Sequence, residues 1–271
     1  MNDLLEVLEK LRKNNPLVHT IANHVTANDC ANLLLAIGAS PIMADAPQEM
    51  EAITSLSQVT VLNLGTPNDT KYQAVMTAGR KANELNHPVI IDPVGVGVSD
   101  YRLQNMTTIF TQVQPSIIRA NVGEVQSLLG ERSLSRGVDS YDTQDSSGIK
   151  AAIKLAKKMS CVILMTGKED FITDGVKHYT IHGGSPRFKQ ITGTGDMLSV
   201  LCGAFATVTT PILAAVYAAY IWKVIGEAAL KESNGLGQAR ISLFDYAENM
   251  KQLIKETNTV TVHSGGTIYD N

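Results

Sequence analysis

Residues 191–199 read Ile191-Thr192-Gly193-Thr194-Gly195-Asp196-Met197-Leu198-Ser199. Two glycines bracket a threonine, an aspartate follows, and an uncharged run rich in Leu, Ala and Val begins, the pattern of a turn feeding a buried helix. The first N–H groups of such a helix have no intrahelical partner, and its dipole adds partial positive charge, so main chain alone can hold a phosphate there. Gly193, Thr194 and Gly195 are therefore expected to form an anion hole, the glycines allowing close approach and positive φ. Asp196 is the unexpected residue. A carboxylate repels a phosphate in that position unless it takes a proton from the group attacking it. The competing reading is a first-turn acid that complements the helix dipole behind an ordinary turn.

The helix that follows belongs to a chain built for a core. Its 271 residues are 44% hydrophobic and 18% charged, enough for one large α/β domain, expected here over residues 1–271. A net charge of −3 with no Lys/Arg cluster excludes the basic surface of a nucleic-acid binder and points to a small-molecule partner. The start, with Leu4, Leu5, Leu8 and Leu11 on one helical face, lacks the basic-then-apolar order of a signal peptide. Cys30, Cys161 and Cys202 sit in apolar surroundings without CxxC spacing and read as reduced core residues of a cytoplasmic protein. From Met197 to Trp222 no residue is charged, but Thr207, Thr209, Thr210 and Pro211 interrupt the run. Two buried helices, in a core or at a subunit interface, are expected rather than a membrane span.

Upstream, strand, polar turn and helix alternate. Strands are expected at Pro16–Ile21, Pro41–Ala44, Val59–Leu64, Pro88–Asp92, Ser116–Arg119 and Cys161–Met165, with a turn at Asn23–Thr26 into a helix through Ala36, and helices over Pro47–Leu56, Asn68–Asn86, from Asn121, and over Ile149–Met159. Continuous apolar strands such as Pro88–Asp92 suit a parallel sheet covered on both faces. Glu131 to Ser147 reads as a long polar loop, and Phe171–Thr173 with Lys177–Ile181 flank an Asp174-Gly175 turn, a β-hairpin at the sheet edge. Two helices and a short tail close the chain. The expected class is α/β, a mostly parallel central sheet flanked by helices.

Ligands in open α/β sheets lie beyond the carboxyl ends of the strands. Those ends carry Asn23, Met43, Gly65 with Thr66, Asp92, Arg119 with Glu124, and Thr166 with Gly167. Asp92 and Glu124 can converge through water on one divalent cation, since Mg2+ keeps several waters. Each also has a structural reading, Asp92 as a turn residue before Pro93 and Glu124 as a helix N-terminal acid. Arg119 presents a fork of donors to phosphate oxygens, and Thr166 a hydroxyl. Anion loop, acid pair and arginine together describe phosphoryl transfer.

With these residues collected, the chain resembles the hydroxyethylthiazole kinases of the ribokinase-like superfamily over nearly its whole length. The resemblance is carried by PLVHTIANHVTAN (Pro16 to Asn28), LLAIGASPIMADAPQEM (Leu34 to Met50), LNLGT (Leu62 to Thr66), IDPVGVG (Ile91 to Gly97), IRANVGE (Ile118 to Glu124), GVDS (Gly137 to Ser140), TGKED (Thr166 to Asp170) and ITGTGD (Ile191 to Asp196). The first three are the specific part, because GTGD and Asn121-x-x-Glu124 are common to the superfamily.

The resemblance implies ATP-dependent phosphorylation of the primary alcohol of 4-methyl-5-(2-hydroxyethyl)thiazole, a salvage step towards thiamine, with Mg2+. It implies Arg119 and Thr166 at ATP, and Met43 and Gly193 at the thiazole; their strand-end positions place Gly167 with the first pair and Asn23, Gly65 and Thr66 with the second. It implies a homotrimer with active sites between subunits. Asp196 takes the role of general base. Several thiazole kinases carry Cys at this place, whereas Asp is usual in the wider superfamily, and a carboxylate is the better base for an alcohol. Two other readings share GTGD or a close variant: a hydroxymethylpyrimidine-type alcohol kinase, and an ATP/ADP-dependent NAD(P)H-hydrate dehydratase that would release no phosphorylated alcohol.

Overall fold

A computed structural model describes residues 2–131 and 146–265. The loop expected at Glu131–Ser147, with the Gly137–Ser140 motif, lies almost wholly outside them. Along the first stretch run α1 (Asn2–Asn14), β1 (Leu17–Ile21), α2 (Ala27–Ile37), β2 (Ser40–Ile42), α3 (Met50–Leu56), β3 (Val59–Asn63), α4 (Asp69–Glu84), β4 (Val89–Asp92), α5 (Asp100–Phe110), β5 (Ile117–Asn121) and α6 (Val122–Leu128). The second holds α7 (Ser146–Met159), β6 (Val162–Thr166), β7 (Asp170–Thr173), β8 (His178–His182), α8 (Thr194–Ala206), α9 (Pro211–Glu232), α10 (Leu236–Glu248), α11 (Met250–Glu256) and β9 (Thr261–Gly265).

The strands form one sheet in the order β2-β1-β3-β4-β5-β6-β7-β8-β9. Every pairing from β2 to β6 is parallel, and those from β6 to β9 are antiparallel. The apolar strands feed two cores because successive side chains point to opposite faces. Val59, Val61, Ile90, Ile117 and Leu164 pack on the face covered by α8 and α9, whereas Leu62, Ile91, Ile118 and Ile163 pack on the face covered by α4 and α7. Asn63, Asp92, Arg119 and Thr166 continue the first alternation by two residues, so each strand delivers its terminal polar side chain to the side where α8 begins.

Local chemistry sets the helix ends. Asn68 caps α4 by accepting the Lys71 N–H at 2.8 Å, and α2 stops at Gly38, whose φ is +92°. The uncharged run divides as expected, with Pro211 in the first turn of α9. By length and composition α9 could cross a bilayer, but 72% of its most apolar window is buried inside the molecule. The expected helix at Pro47–Leu56 begins as a short 3-10 turn over Pro47–Glu49 before α3.

Two elements lie beyond the sequence reading. Only Met106 and Ile109 of α5 are buried, a stripe too narrow to register as amphipathic. The tail carries β9, which pairs with β8 across His178↔Gly265 to His182↔Thr261 and becomes the sheet edge outside the hairpin. Its side chains are mostly exposed, so backbone pairing rather than apolar alternation makes it a strand.

Candidate active site

The parallel registers bring the polar strand ends level with one another. Asn63 is opposite Asp92, and Asn121 is opposite Thr166. Across this row lies the first turn of α8, entered through Gly193 at φ +86°. A Cβ at Gly193 would sit 2.3 Å from Thr26 Cγ2, so the absence of a side chain permits both the left-handed turn and the approach of the β1–α2 loop.

Asp196 is gripped by three side chains. Its Oδ2 accepts from Asn23 Nδ2 at 2.6 Å and from Thr26 Oγ1 at 2.6 Å, and its Oδ1 accepts from Asn63 Nδ2 at 2.9 Å. Asn23 is itself fixed by an Asx turn, its Oδ1 accepting the N–H groups of Val25 and Thr26. Asn63 also donates to Asp92 Oδ2 at 3.3 Å and accepts from Gly65 N at 2.9 Å. One amide thus joins the acid of β4 to the acid of α8. Thr66 follows with φ +46°, a costly conformation for a β-branched residue and one concentrated at functional sites.

Asp92 is fully buried and accepts from Ser199 Oγ at 2.7 Å, one turn beyond Asp196 on α8. Burial pushes it up to about 7, with Asp196 and Glu124 adding to the rise while Arg119 and Ser199 oppose it. Arg119 stands 3.5 Å from Asp92 Oδ1 and donates to Thr166 Oγ1 at 3.0 Å. Burial alone would lower the Arg119 pKa, but Asp92, Glu124 and Asp196 raise it and keep the guanidinium charged. Its Nε is buried without a hydrogen-bond partner among the described residues. Arg119 runs beneath Gly195, where a Cβ would come within 2.4 Å of Nη1. The glycine lets a guanidinium lie against the helix start.

Glu124 is buried, with both oxygens on main-chain donors: Oε1 accepts from Gly95 N and Oε2 from Asn121 N, each at 2.8 Å. The second belongs to a capping box with Asn121. The first ties the β4–α5 loop to α6. Burial raises its pKa, opposed by Arg119 and the two N–H groups. Gly167 N donates to Asp170 Oδ1 at 3.1 Å, so that part of the Thr166–Asp170 turn is held from within. Met43, just after β2, is partly buried against the α8-side core.

Asn23, Asn63, Asp92, Arg119, Thr166, Gly193, Gly195 and Asp196 therefore converge. Met43 lies at the β1–β2 side, while Glu124 acts on loops around the row. Sequence reasoning missed Thr26, Asn63 and Ser199. A signal existed for Asn63, the last residue of an apolar VTVLN strand and in phase with Val59 and Val61. Thr26 and Ser199 had none, because an ordinary turn or helix carries such residues routinely.

The hydroxyethylthiazole kinase family profile matches residues 8–256. The chain belongs to the hydroxyethylthiazole kinase family. The hydroxyethylthiazole kinase of Alkaliphilus oremlandii is 43% identical over 255 residues, covering 93% of this chain and 94% of that protein. That of Pyrococcus abyssi is 35% identical and covers 91% and 92%. Among solved structures, the hydroxyethylthiazole kinase protein of Pyrococcus horikoshii OT3 superposes with a TM-score of 0.89 at 30% identity, covering 98% of this kinase and all of that chain. A ribokinase-like superfamily protein from Enterococcus faecalis superposes at 0.66 with 13% identity, covering 92% and 94%, a likeness of fold alone. This kinase has the ribokinase-like architecture.

Proposed function

We propose that this kinase transfers the γ-phosphoryl group of ATP to the primary alcohol of 4-methyl-5-(2-hydroxyethyl)thiazole, feeding thiamine phosphate synthesis. The observation that carries the mechanism is the grip on Asp196 at the start of α8. A carboxylate offers about four lone-pair positions, and three are taken by Asn23, Thr26 and Asn63. The remaining one is on Oδ1, which accepts the hydroxyl proton as the alcohol oxygen attacks the γ-phosphorus. Asn23 and Thr26 hold Oδ2, so the base cannot turn away. The N–H groups from Gly193 to Asp196 stabilise charge on the transferring group, at roughly 3 kcal/mol per well-aimed donor in comparable oxyanion sites.

Arg119, Thr166 and Gly167 bind the nucleotide phosphates, Arg119 by the fork of donors under Gly195. Met43, Gly193, Asn23, Gly65 and Thr66 receive the alcohol. Among the described residues, no group of three His, Cys, Asp or Glu side chains gathers to hold a metal directly. A buried Asp92 near the base, and a Glu124 already engaged by main chain, fit Mg2+ held through water and by phosphate oxygens rather than in a protein cage. The ion would neutralise phosphate charge. The family resemblance carries the further reading of a cytoplasmic homotrimer with active sites between subunits.

ADP release with ATP and Mg2+ tests the reading, comparing hydroxyethylthiazole, hydroxymethylpyrimidine and no alcohol. Saturable turnover with the thiazole is expected. Turnover with the pyrimidine alone, or with neither, would overturn the acceptor assignment.

A further inference from the structure

Lys71 lies in the first turn of α4, and its side chain is buried, with 8% of its surface exposed. Burying an ammonium is costly unless it is matched by good acceptors. No carboxylate of the described residues pairs with it. Its Nζ instead donates to two main-chain carbonyls, Ala22 O at 2.8 Å and Gly65 O at 2.6 Å. Ala22 directly precedes Asn23, and Gly65 lies between Asn63 and Thr66. The two carbonyls therefore lie on the β1–α2 loop, which carries Asn23 and Thr26, and on the β3–α4 loop, which follows Asn63 at the end of β3. Burial draws the Lys71 pKa down to about 8, opposed by Asp196, Asp45 and Asp92 and reinforced by Arg102.

A second buried lysine marks the opposite end of the row. Lys223 of α9 donates from Nζ to Lys168 O and Gly183 O, each at 3.2 Å, and stands 3.5 Å from Asp170 Oδ2. Its loops border Thr166 and Gly167 rather than Asn23 and Asn63. Each ammonium thus joins a different pair of strand-end loops. Only the Lys71 pair reaches the base.

We propose that Lys71 is a positioning residue for the acceptor half of the active site, clamping the β1–α2 and β3–α4 loops so that Asn23, Thr26 and Asn63 stay aligned on Asp196. This rests on the kinase reading for its kinetic consequence, but not for the clamp itself. Without the ammonium, two loops that pair through Asn23 and Asn63 side chains lose their common main-chain anchor. The alcohol site and the base then disorder together, whereas the Lys223 loops keep theirs.

The test compares Lys71→Met with Lys223→Met in the full-length protein, by steady-state kinetics and by backbone hydrogen exchange without ligands. Lys71→Met is expected to lower kcat/KM for the alcohol by about tenfold or more, with the KM for ATP changed less than about twofold, the scale set by losing hydrogen bonds from a charged group. Exchange should quicken at residues 22–27 and 64–68 and not at residues 167–170 or 183–185. Lys223→Met should show the converse exchange pattern. Lys71→Gln keeps an amide donor for the carbonyls, should fall between wild type and Lys71→Met, and serves if the latter does not fold. Unchanged exchange at both acceptor loops would overturn the clamp even if no thiazole turnover exists. Accelerated exchange with unchanged alcohol kinetics, or an equal loss for ATP and alcohol, would overturn the positioning role alone.

Discussion

The side-chain amide of Asn63, at the last residue of β3, donates at 2.9 Å to Oδ1 of Asp196 in the first turn of α8. A strand end and a helix start 133 residues apart are thereby fixed to each other. The same nitrogen stands 3.3 Å from Asp92 Oδ2, so Asn63 also separates two carboxylates that would otherwise repel. Asn63→Leu keeps the size but removes every donor and acceptor. The expected outcome is a fall in kcat of about tenfold to a hundredfold, the order of one to two lost buried hydrogen bonds to a charged group, with thermal stability measured alongside to show a folded protein. A wild-type kcat would show that Asp196 needs no such support.

Asp196→Asn retains the shape and an oxygen for Asn63, but that amide oxygen is not a base, and the new NH2 faces Asn23 Nδ2 and Thr26 Oγ1 in place of Oδ2. Turnover should drop by about 10²–10⁴-fold, the range for losing a general base. ATP binding, followed by calorimetry, should stay close to wild type. Near-normal turnover would remove Asp196 from the base role and leave it as a first-turn helix acid.

Gly195→Ala tests the contact between the helix start and the arginine. The new Cβ would meet Arg119 Nη1 at 2.4 Å and Nη2 at 2.5 Å. The guanidinium must move, because it is the far end of a flexible side chain while α8 is packed against the sheet. The KM for ATP should rise by about tenfold, a loss of roughly 1.4 kcal/mol, with a smaller change for the alcohol. An unchanged KM for ATP would place the nucleotide phosphates away from Arg119.

His19 links stability to pH at the segment leading to Met43. Buried in β1, its ring contacts Thr54 Oγ1 at 3.2 Å and Ala44 O at 3.0 Å, and burial lowers its pKa from 6.5. The sign follows from proton binding. Below 6.5 the unfolded imidazole takes a proton that the buried ring resists, so acid favours unfolding, and this destabilisation fades as pH rises through 6.5. His19→Gln should flatten that dependence, by up to about 1.4 kcal/mol per pH unit at its steepest. Thermal midpoints at about pH 5.5 and about pH 7.5 check it. An unaltered slope would assign the acid sensitivity to other groups.

The sequence alone determined the architecture, because its signals are local. Apolar runs ended by polar residues mark parallel strands, Asn68 and Asn121 mark helix starts, and Gly193 and Gly195 before Asp196 mark a turn into a buried helix. It could not reveal β9, whose exposed side chains carry no alternation and whose strand character comes from pairing with β8. Nor could it separate the two roles open to Glu124, since a capping box and a water-mediated metal ligand call for the same residue at the same place. The tertiary structure decided the company each polar residue keeps. Strand register set Asn63 beside Asp92, and the packing of α8 over those strand ends brought Asp196 to Asn23, Thr26 and Asn63. Such contacts depend on distances between segments far apart in the chain, for which periodicity and capping carry no information.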